Sequence, residues 1–276
     1  MISTLIFSKN RACQLDLLLR SINENFTHIS NDIRIIYTYT DSEFEKGYSK
    51  LIDKFPDCIW YEQVDFQKDT MFALSQSKEH VCFFVDDNVV YNKPNIFGYQ
   101  IEYLINNIEE ACCFSFRLGL NTITQAPYAN PPRILDIKQI PFAEILADDK
   151  QILGWLWNKL PTYGNNFGYP FSVDGHIYNT KSIIDCLDYE FDTPNALEGR
   201  FPIKKLKPAM LCLTKSCVVN NPINLVGSSN NDAGHWWGHT LEELNTNFIK
   251  GKIINLASIY KNKIVGSHQE MEIELI

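Results

Sequence analysis

Five consecutive apolar residues, Val81-Cys82-Phe83-Phe84-Val85, stand immediately before Asp86-Asp87-Asn88. A run with no polar residue at alternate positions reads as a strand buried on both faces. Such a strand needs a sheet covered by helices on each side, which restricts the chain to α/β architectures. The flanking pattern agrees. Residues 2–7 read as a strand, after which Leu15, Leu18, Leu19 and Ile22 recur at i, i+3, i+4, i+7. Residues 33–39 form a second strand, followed by a helix faced by Phe44, Tyr48, Leu51, Ile52 and Phe55. A short third strand is expected at 58–63 and a brief helix near 70–77. After the 81–85 strand, a helix near 95–110 carries Ile101, Leu104, Ile105 and Ile108 on one face, and 111–116 is another buried strand. This alternation predicts a mostly parallel, Rossmann-like sheet flanked by helices.

The alternation breaks near Arg117. Residues 117–170 are rich in Pro, Asn, Gly and aromatic side chains, with short apolar pieces such as 152–157. Irregular connections plus a hairpin are expected there, the kind of segment on which binding residues tend to sit. Regular structure returns with a strand at 172–178 and a helix at 180–187. Thr240-Leu241-Glu242-Glu243 is a capping box, with Gly251 as the residue beyond that helix. With 276 residues and no repeat or long linker, one domain over 1–276 is expected.

Composition narrows the functional classes. Net charge is −8 and no block of five basic residues occurs, which argues against a dedicated nucleic-acid binder. No apolar stretch approaches the roughly 20 residues needed to span a bilayer, so any membrane association is expected to be peripheral. Residues 1–7 do not read as a secretory signal. The eight cysteines sit mostly in apolar runs, without CxxC pairs or zinc spacing. Buried free thiols and a reduced, cytoplasmic setting are expected.

Asp86-Asp87-Asn88 is the chemical focus. Open α/β sheets bind ligands beyond the carboxyl ends of their strands, where this cluster falls. Its oxygens suit a hard divalent cation, Mg²⁺ or Mn²⁺, which commonly also binds substrate phosphates. Asp and Asn are equally common at turns, so the acidic pair alone does not decide. Ser8, Lys9 and Arg11 follow the first strand at the same edge. They suit a phosphate or nucleotide contact as well as a solvated basic turn. Thr40 and Asp41 follow the second strand, where contacts to a base or ribose compete with an ordinary turn.

Taken in order, these segments resemble the GT-A-fold glycosyltransferases that use nucleotide-sugar donors. Phe7-Ser8-Lys9-Asn10-Arg11, with residues 14–22, is similar to the opening of a bacterial glycosyltransferase-2-like branch. Asp86-Asp87-Asn88 corresponds to the DxD-type motif, with Asn88 where the last Asp often stands. Val173-Asp174-Gly175-His176-Ile177-Tyr178 and Pro194-Asn195-Ala196-Leu197-Glu198 resemble later blocks. The resemblance implies a GT-A-like sheet with a donor-binding half over about 1–116 and an acceptor-binding half over about 117–276. It implies a nucleotide-sugar donor, a saccharide, glycan or other hydroxyl acceptor, and bound Mn²⁺ or Mg²⁺. Asp86, Asp87 and Asn88 would share the metal, with Asp86 also toward the ribose, and His268 would complete the metal site. Glu198 falls at the position of the general base that takes the acceptor proton. Asp174 is the second candidate, or a ligand for the donor sugar's hydroxyls. The expected reaction is metal-dependent transfer with inversion at the anomeric carbon.

Other second-half residues are ambivalent. His176, His235 and His239 suit a metal or an ordinary hydrogen-bonded role. Trp155, Trp157, Tyr163, Phe167, Tyr169, Trp236 and Trp237 offer apolar faces to sugar rings, although core packing explains most such rings. Asn165, Asn166, Asn230, Asn231 and Asp232 suit hydroxyl binding or turns. Two rival functions stay open. A sugar-nucleotide pyrophosphorylase shares the sheet and the metal, but usually has a Gly-rich loop after the first strand; here no glycine precedes Gly47. A non-catalytic carbohydrate-binding protein would use the aromatic half and need neither Asp86 nor Asp87.

Overall fold

The computed structural model describes residues 1–126, 133–147, 150–162, 165–226 and 237–276. In chain order the first strands are β1 (Ile2–Lys9), β2 (Asp32–Thr38), β3 (Ile59–Glu62) and β4 (His80–Val85). They pair in parallel in the order β3-β2-β1-β4. Between them run α1 (Ala12–Asn25), α2 (Ser42–Lys54) and α3 (Phe66–Ser75). The chain continues through β5 (Asn88–Val90), α4 (Gly98–Asn107) and β6 (Ala111–Ser115). The expected α/β arrangement, a mostly parallel sheet flanked by helices, is present.

Consecutive strand residues feed opposite cores, as two-sided burial requires. Ile6, Ile35, Cys82 and Phe84 pack with Leu15, Leu18, Leu19 and Ile22 of α1. Leu5, Phe7, Ile36, Val81 and Phe83 pack on the other face with Phe66 and Leu74 of α3. The third helix begins earlier than the apolar spacing suggested. Asp65 caps it by accepting from the Lys68 amide at 3.0 Å, and Phe66 anchors the first turn in the core.

The second half supplies β7 (Thr124–Ala126), β8 (Arg133–Ile134), β9 (Ala143–Ala147), β10 (Lys150–Leu156), β11 (His176–Asn179), β12 (Ala209–Leu213) and β13 (Val218–Asn220). The expected hairpin is β9–β10, which joins the main sheet through β12. β11 runs antiparallel between β4 and β6, so the two halves share one sheet. The helices of this half are α5 (Thr180–Ile184), α6 (Pro194–Gly199), α7 (Leu241–Ile249) and α8 (Leu256–Tyr260).

The strand expected over 172–178 shortens to β11. Gly175 adopts φ +67, and Ser172 and Asp174 turn their side chains toward Arg117, so the chain enters the sheet only at His176. Thr240 caps α7 by accepting from the Glu243 amide at 3.0 Å, and Gly251 follows that helix at φ +100. Among the described residues, no helix is long and apolar enough to cross a membrane. All eight cysteines are free, and all but Cys58 are buried.

Candidate active site

Parallel strands deliver their carboxyl ends to one edge, and the site is built there. β1 ends in Lys9, β4 in Val85 and β6 in Ser115. The antiparallel β11 starts at the same edge, beside Phe83 and Ser115. β13 pairs with β5 and sets Asn220 opposite Asn88.

Asp86 and Asp87 are both buried, and each of their four carboxylate oxygens meets a protein donor. The Lys9 amide donates to Asp86 Oδ2 at 3.0 Å. Arg11 Nη1 donates to Asp86 Oδ1 at 3.0 Å and to Asp87 Oδ2 at 2.9 Å. Asn220 Nδ2 donates to Asp87 Oδ1 at 2.7 Å. Burial pushes the Asp86 carboxyl up to about 6; Arg11 opposes this and the neighbouring Asp87 charge adds to it. Two carboxylates share one guanidinium, so the pair keeps an excess of negative charge.

That excess is the chemical reason the pair suits a cation. Among the described residues, no group of three or more His, Cys, Asp or Glu side chains is gathered as a closed cage. An Mg²⁺ or Mn²⁺ site does not require one, because these ions are commonly held by one or two carboxylates plus substrate phosphates and water. Asn88 is less suited than its place in the motif implied. Its Oδ1 accepts from the Val85 amide at 2.9 Å and its Nδ2 donates to Asp174 Oδ1 at 3.2 Å. The side chain is turned inward to brace the loop.

A second cluster lies alongside. Arg117, buried at the end of β6, donates from Nη1 to Asp174 Oδ2 at 2.9 Å and to Ser172 Oγ at 2.6 Å. Its Nη2 donates to Ser267 Oγ at 3.2 Å. His268 Nε2 lies 3.4 Å from Asp174 Oδ2, the oxygen that Asn88 does not bond. Burial opposes ionisation of Asp174. His268, Arg117 and Asn88 outweigh it and hold the carboxyl well below the usual carboxylate range.

Glu198, on α6, is half-buried and lies beside Ser172 and Val173 of the same loop. Burial, then the Asp174 charge, push its carboxyl up to about 7, against the pull of Arg117. The structure therefore brings Asp174, Glu198 and His268 together. Asn88 and Asn220 tie them to the acidic pair: Asn220 bonds Asp87 through its side chain and the Ser267 carbonyl through its amide, at 2.9 Å for the latter.

Several candidates have other duties. The Ser8 hydroxyl is buried at 2.7 Å from Tyr48 Oη. Lys9 contributes its backbone amide, while its side chain is exposed. Arg11 is not a free basic turn: its guanidinium is locked onto the acidic pair and Asn224. Thr40 bonds Asn10, and Asp41 caps α2 by accepting from the Glu43 and Phe44 amides at 2.9 and 3.1 Å. His176 is buried, with Nδ1 3.0 Å from Tyr178 Oη. His239 lies 3.6 Å from Glu243 on α7.

Trp155, Trp157 and Phe167 are buried core rings, with the indole nitrogens donating to the carbonyls of Phe167 and Lys207 at 2.6 and 2.7 Å. Tyr169 and Trp237 keep exposed surface. Tyr163, Asn230, Asn231, Asp232, His235 and Trp236 lie outside the described residues. Sequence reasoning missed Arg117, Ser172, Asn220, Asn224 and Ser267. One signal was available: Val218-Val219 followed by Asn220-Asn221 repeats the apolar-then-polar pattern of 81–88.

No family model matches the chain. The resemblance to glycosyltransferases does extend along most of the sequence. Over 243 residues the chain is 27% identical to a protein of Dictyostelium discoideum named bifunctional glycosyltransferase pgtA, covering 77% of this chain. It spans 30% of that protein's length. Similar solved structures include Staphylococcus aureus TarS, at 15% identity and TM-score 0.49 over 79% of this chain and 36% of that one. TarS 1–349 in complex with UDP aligns at 14% identity and TM-score 0.48, over 80% of this chain and 61% of that one. The mannosyltransferase PcManGT of Pyrobaculum calidifontis, in complex with GDP-Man and Mn²⁺, aligns at 9% identity and TM-score 0.40, over 78% of this chain and 54% of that one.

Proposed function

We propose that this chain is a glycosyltransferase that moves a sugar from a nucleotide-sugar donor to a saccharide or other hydroxyl acceptor. The observation that carries the proposal is the gathering of Asp174, His268, Arg117 and Glu198 beside the buried Asp86–Asp87 pair at the carboxyl edge of the parallel strands. Acid–base chemistry near neutrality needs a group poised near the working pH. Glu198 is such a group. Its carboxylate takes the proton of the acceptor hydroxyl as that oxygen attacks the anomeric carbon. Asp174, held ionised by His268 and Arg117, is a weak base and serves to orient sugar hydroxyls.

Asp86, Asp87 and His268 are the residues that would hold Mn²⁺ or Mg²⁺ with the donor's diphosphate. A cation bound there supplies neutralisation of the leaving nucleoside diphosphate. The donor half is assigned to about 1–116 and the acceptor half to about 117–276, with Tyr169 and Trp237 as partly exposed aromatic rings for a saccharide. Direct attack by an activated acceptor inverts the anomeric centre.

The test is calorimetry with UDP and GDP, with and without Mn²⁺, followed by a nucleotide-sugar panel scored for acceptor-dependent diphosphate release. Metal-dependent binding and transfer with inverted configuration by NMR are expected. Saccharide binding without any nucleotide affinity would replace the transferase by a carbohydrate-binding protein. Formation of nucleotide-sugar from sugar phosphate and nucleoside triphosphate would replace it by a pyrophosphorylase.

A further inference from the structure

The acidic pair already holds a cation of the chain's own. Arg11 Nη1 bridges Asp86 and Asp87, and Arg11 Nε donates to Asn224 Oδ1 at 2.9 Å. Arg11 Nη2 donates to the Asn224 carbonyl oxygen, and Gln14 Nε2 holds Asn224 Oδ1 at 2.9 Å. The guanidinium fork is thus fixed from behind while its front faces both carboxylates. Arg11 is itself buried.

We infer that Arg11 is a tethered competitor for the divalent cation, so that an ion reaches Asp87 only as Arg11 releases it, and Arg11 thereby sets the metal affinity of the site. This rests on the proposed reading of Asp87 as a metal ligand. Of the donors on the acidic pair, the Lys9 amide belongs to the backbone, and Asn220 sits in β13 with its own amide and carbonyl bonded to Ser267 and Gln269. Arg11 alone is a long side chain able to withdraw by rotamer change. A divalent ion on Asp87 Oδ2 would share that oxygen with Nη1, which lies 2.9 Å from it. Like-charge repulsion between a divalent ion and a guanidinium on one oxygen is large even at an effective dielectric constant of about 20. The ion and the guanidinium therefore exclude one another at Asp87.

The two states differ in where positive charge is placed. Without metal, Arg11 offsets part of the buried negative charge. With metal on Asp87, the guanidinium is freed for another anion at the same edge, and a donor phosphate matches its bidentate geometry.

The experiment titrates Mn²⁺ alone, read by the electron paramagnetic resonance of the free ion, into the wild-type chain, Arg11→Met, Asn224→Ala and Asp87→Asn. Thermal unfolding with and without Mn²⁺ runs in parallel. Arg11→Met is expected to bind Mn²⁺ at least about tenfold more tightly than wild type, and to gain more in Tm from the ion. Asn224→Ala keeps the charge and loosens the fork, so it should bind Mn²⁺ more tightly by a smaller factor; this variant decides the matter if Arg11→Met does not fold. Asp87→Asn should lose binding. Equal or weaker Mn²⁺ affinity in Arg11→Met, or unchanged affinity in a folded Asn224→Ala alone, overturns the inference while leaving metal use intact. If neither wild type nor any variant binds Mn²⁺, even with UDP or GDP present, the metal assignment falls and the competition falls with it.

Discussion

Arg117 Nη1 donates to Asp174 Oδ2 at 2.9 Å across a sequence separation of 57 residues, and both side chains are buried. The pair joins the end of β6 to the turn that starts β11. Breaking a buried pair by removing one partner strands the other charge. Arg117→Met should therefore cost about 3–5 kcal/mol of stability, the usual penalty for such a loss. Urea unfolding measures it. A cost below about 1 kcal/mol would mean the pair is solvated, as surface ion pairs are.

Removal of Glu198 basicity separates chemistry from binding. Glu198→Gln should lower kcat by about 10²–10⁴-fold with donor affinity nearly unchanged. Since ionised Glu198 is the active form, wild-type kcat/KM should rise with pH through about 7 and then level off. The Gln variant should lack that rise. If Glu198→Gln keeps wild-type kcat and Asp174→Asn is dead, Asp174 is the base.

The same shift has a stability consequence of definite sign. Burial raises the folded carboxyl of Glu198 from its ordinary value of 4.5 to about 7. The stabilisation of its protonated form is full below the unfolded value and is lost as pH rises through about 7. Glu198→Gln should remove that loss, so the variant gains in Tm relative to wild type between pH 5 and pH 8. Parallel Tm profiles for the two proteins would contradict the placement.

Asp87→Ala tests the donor site. Loss of a charged oxygen ligand facing a hard cation should abolish Mn²⁺-dependent nucleoside-diphosphate binding. Calorimetry reads it, with circular dichroism to check the fold. Retained metal-dependent affinity would remove Asp87 from the metal site.

Asp41 and Trp157 are expected to act on stability alone. Asp41→Ala removes the cap of α2 and should cost about 0.5–2 kcal/mol. Trp157→Ala empties a buried site and should cost about 3–5 kcal/mol. Neither should change donor affinity in the folded fraction. A selective fall in UDP or GDP affinity for Asp41→Ala would restore the nucleotide contact expected from its position after β2.

The alternation of apolar runs and amphipathic helices carried the parallel half of the sheet, because burial on both faces leaves a local pattern. Leu15, Leu18, Leu19 and Ile22 all lie in the core, as their spacing requires. Helix starts were less legible. Asp65 caps α3 five residues before the expected start because Phe66 finds a core partner in Phe7, a contact that no local period encodes. Trp155 and Trp157 show the same limit in reverse: their composition suits a sugar groove, while their neighbours make them core.

For the candidate site, sequence alone determined which acidic residues end a buried strand, since Asp86 and Asp87 follow β4 directly and the carboxyl ends of parallel strands share one edge. It also determined Glu198 and Asp174 as candidates, through short blocks. Tertiary structure decided their chemistry. Ionisation depends on burial and on groups a few ångströms away, and those groups come from residues distant in the chain: Arg11 at Asp86, Arg117 and His268 at Asp174. Electrostatic fields are set by distance in space, so Arg11 could be read as basic from the sequence, but only the folded chain turns it onto the acidic pair.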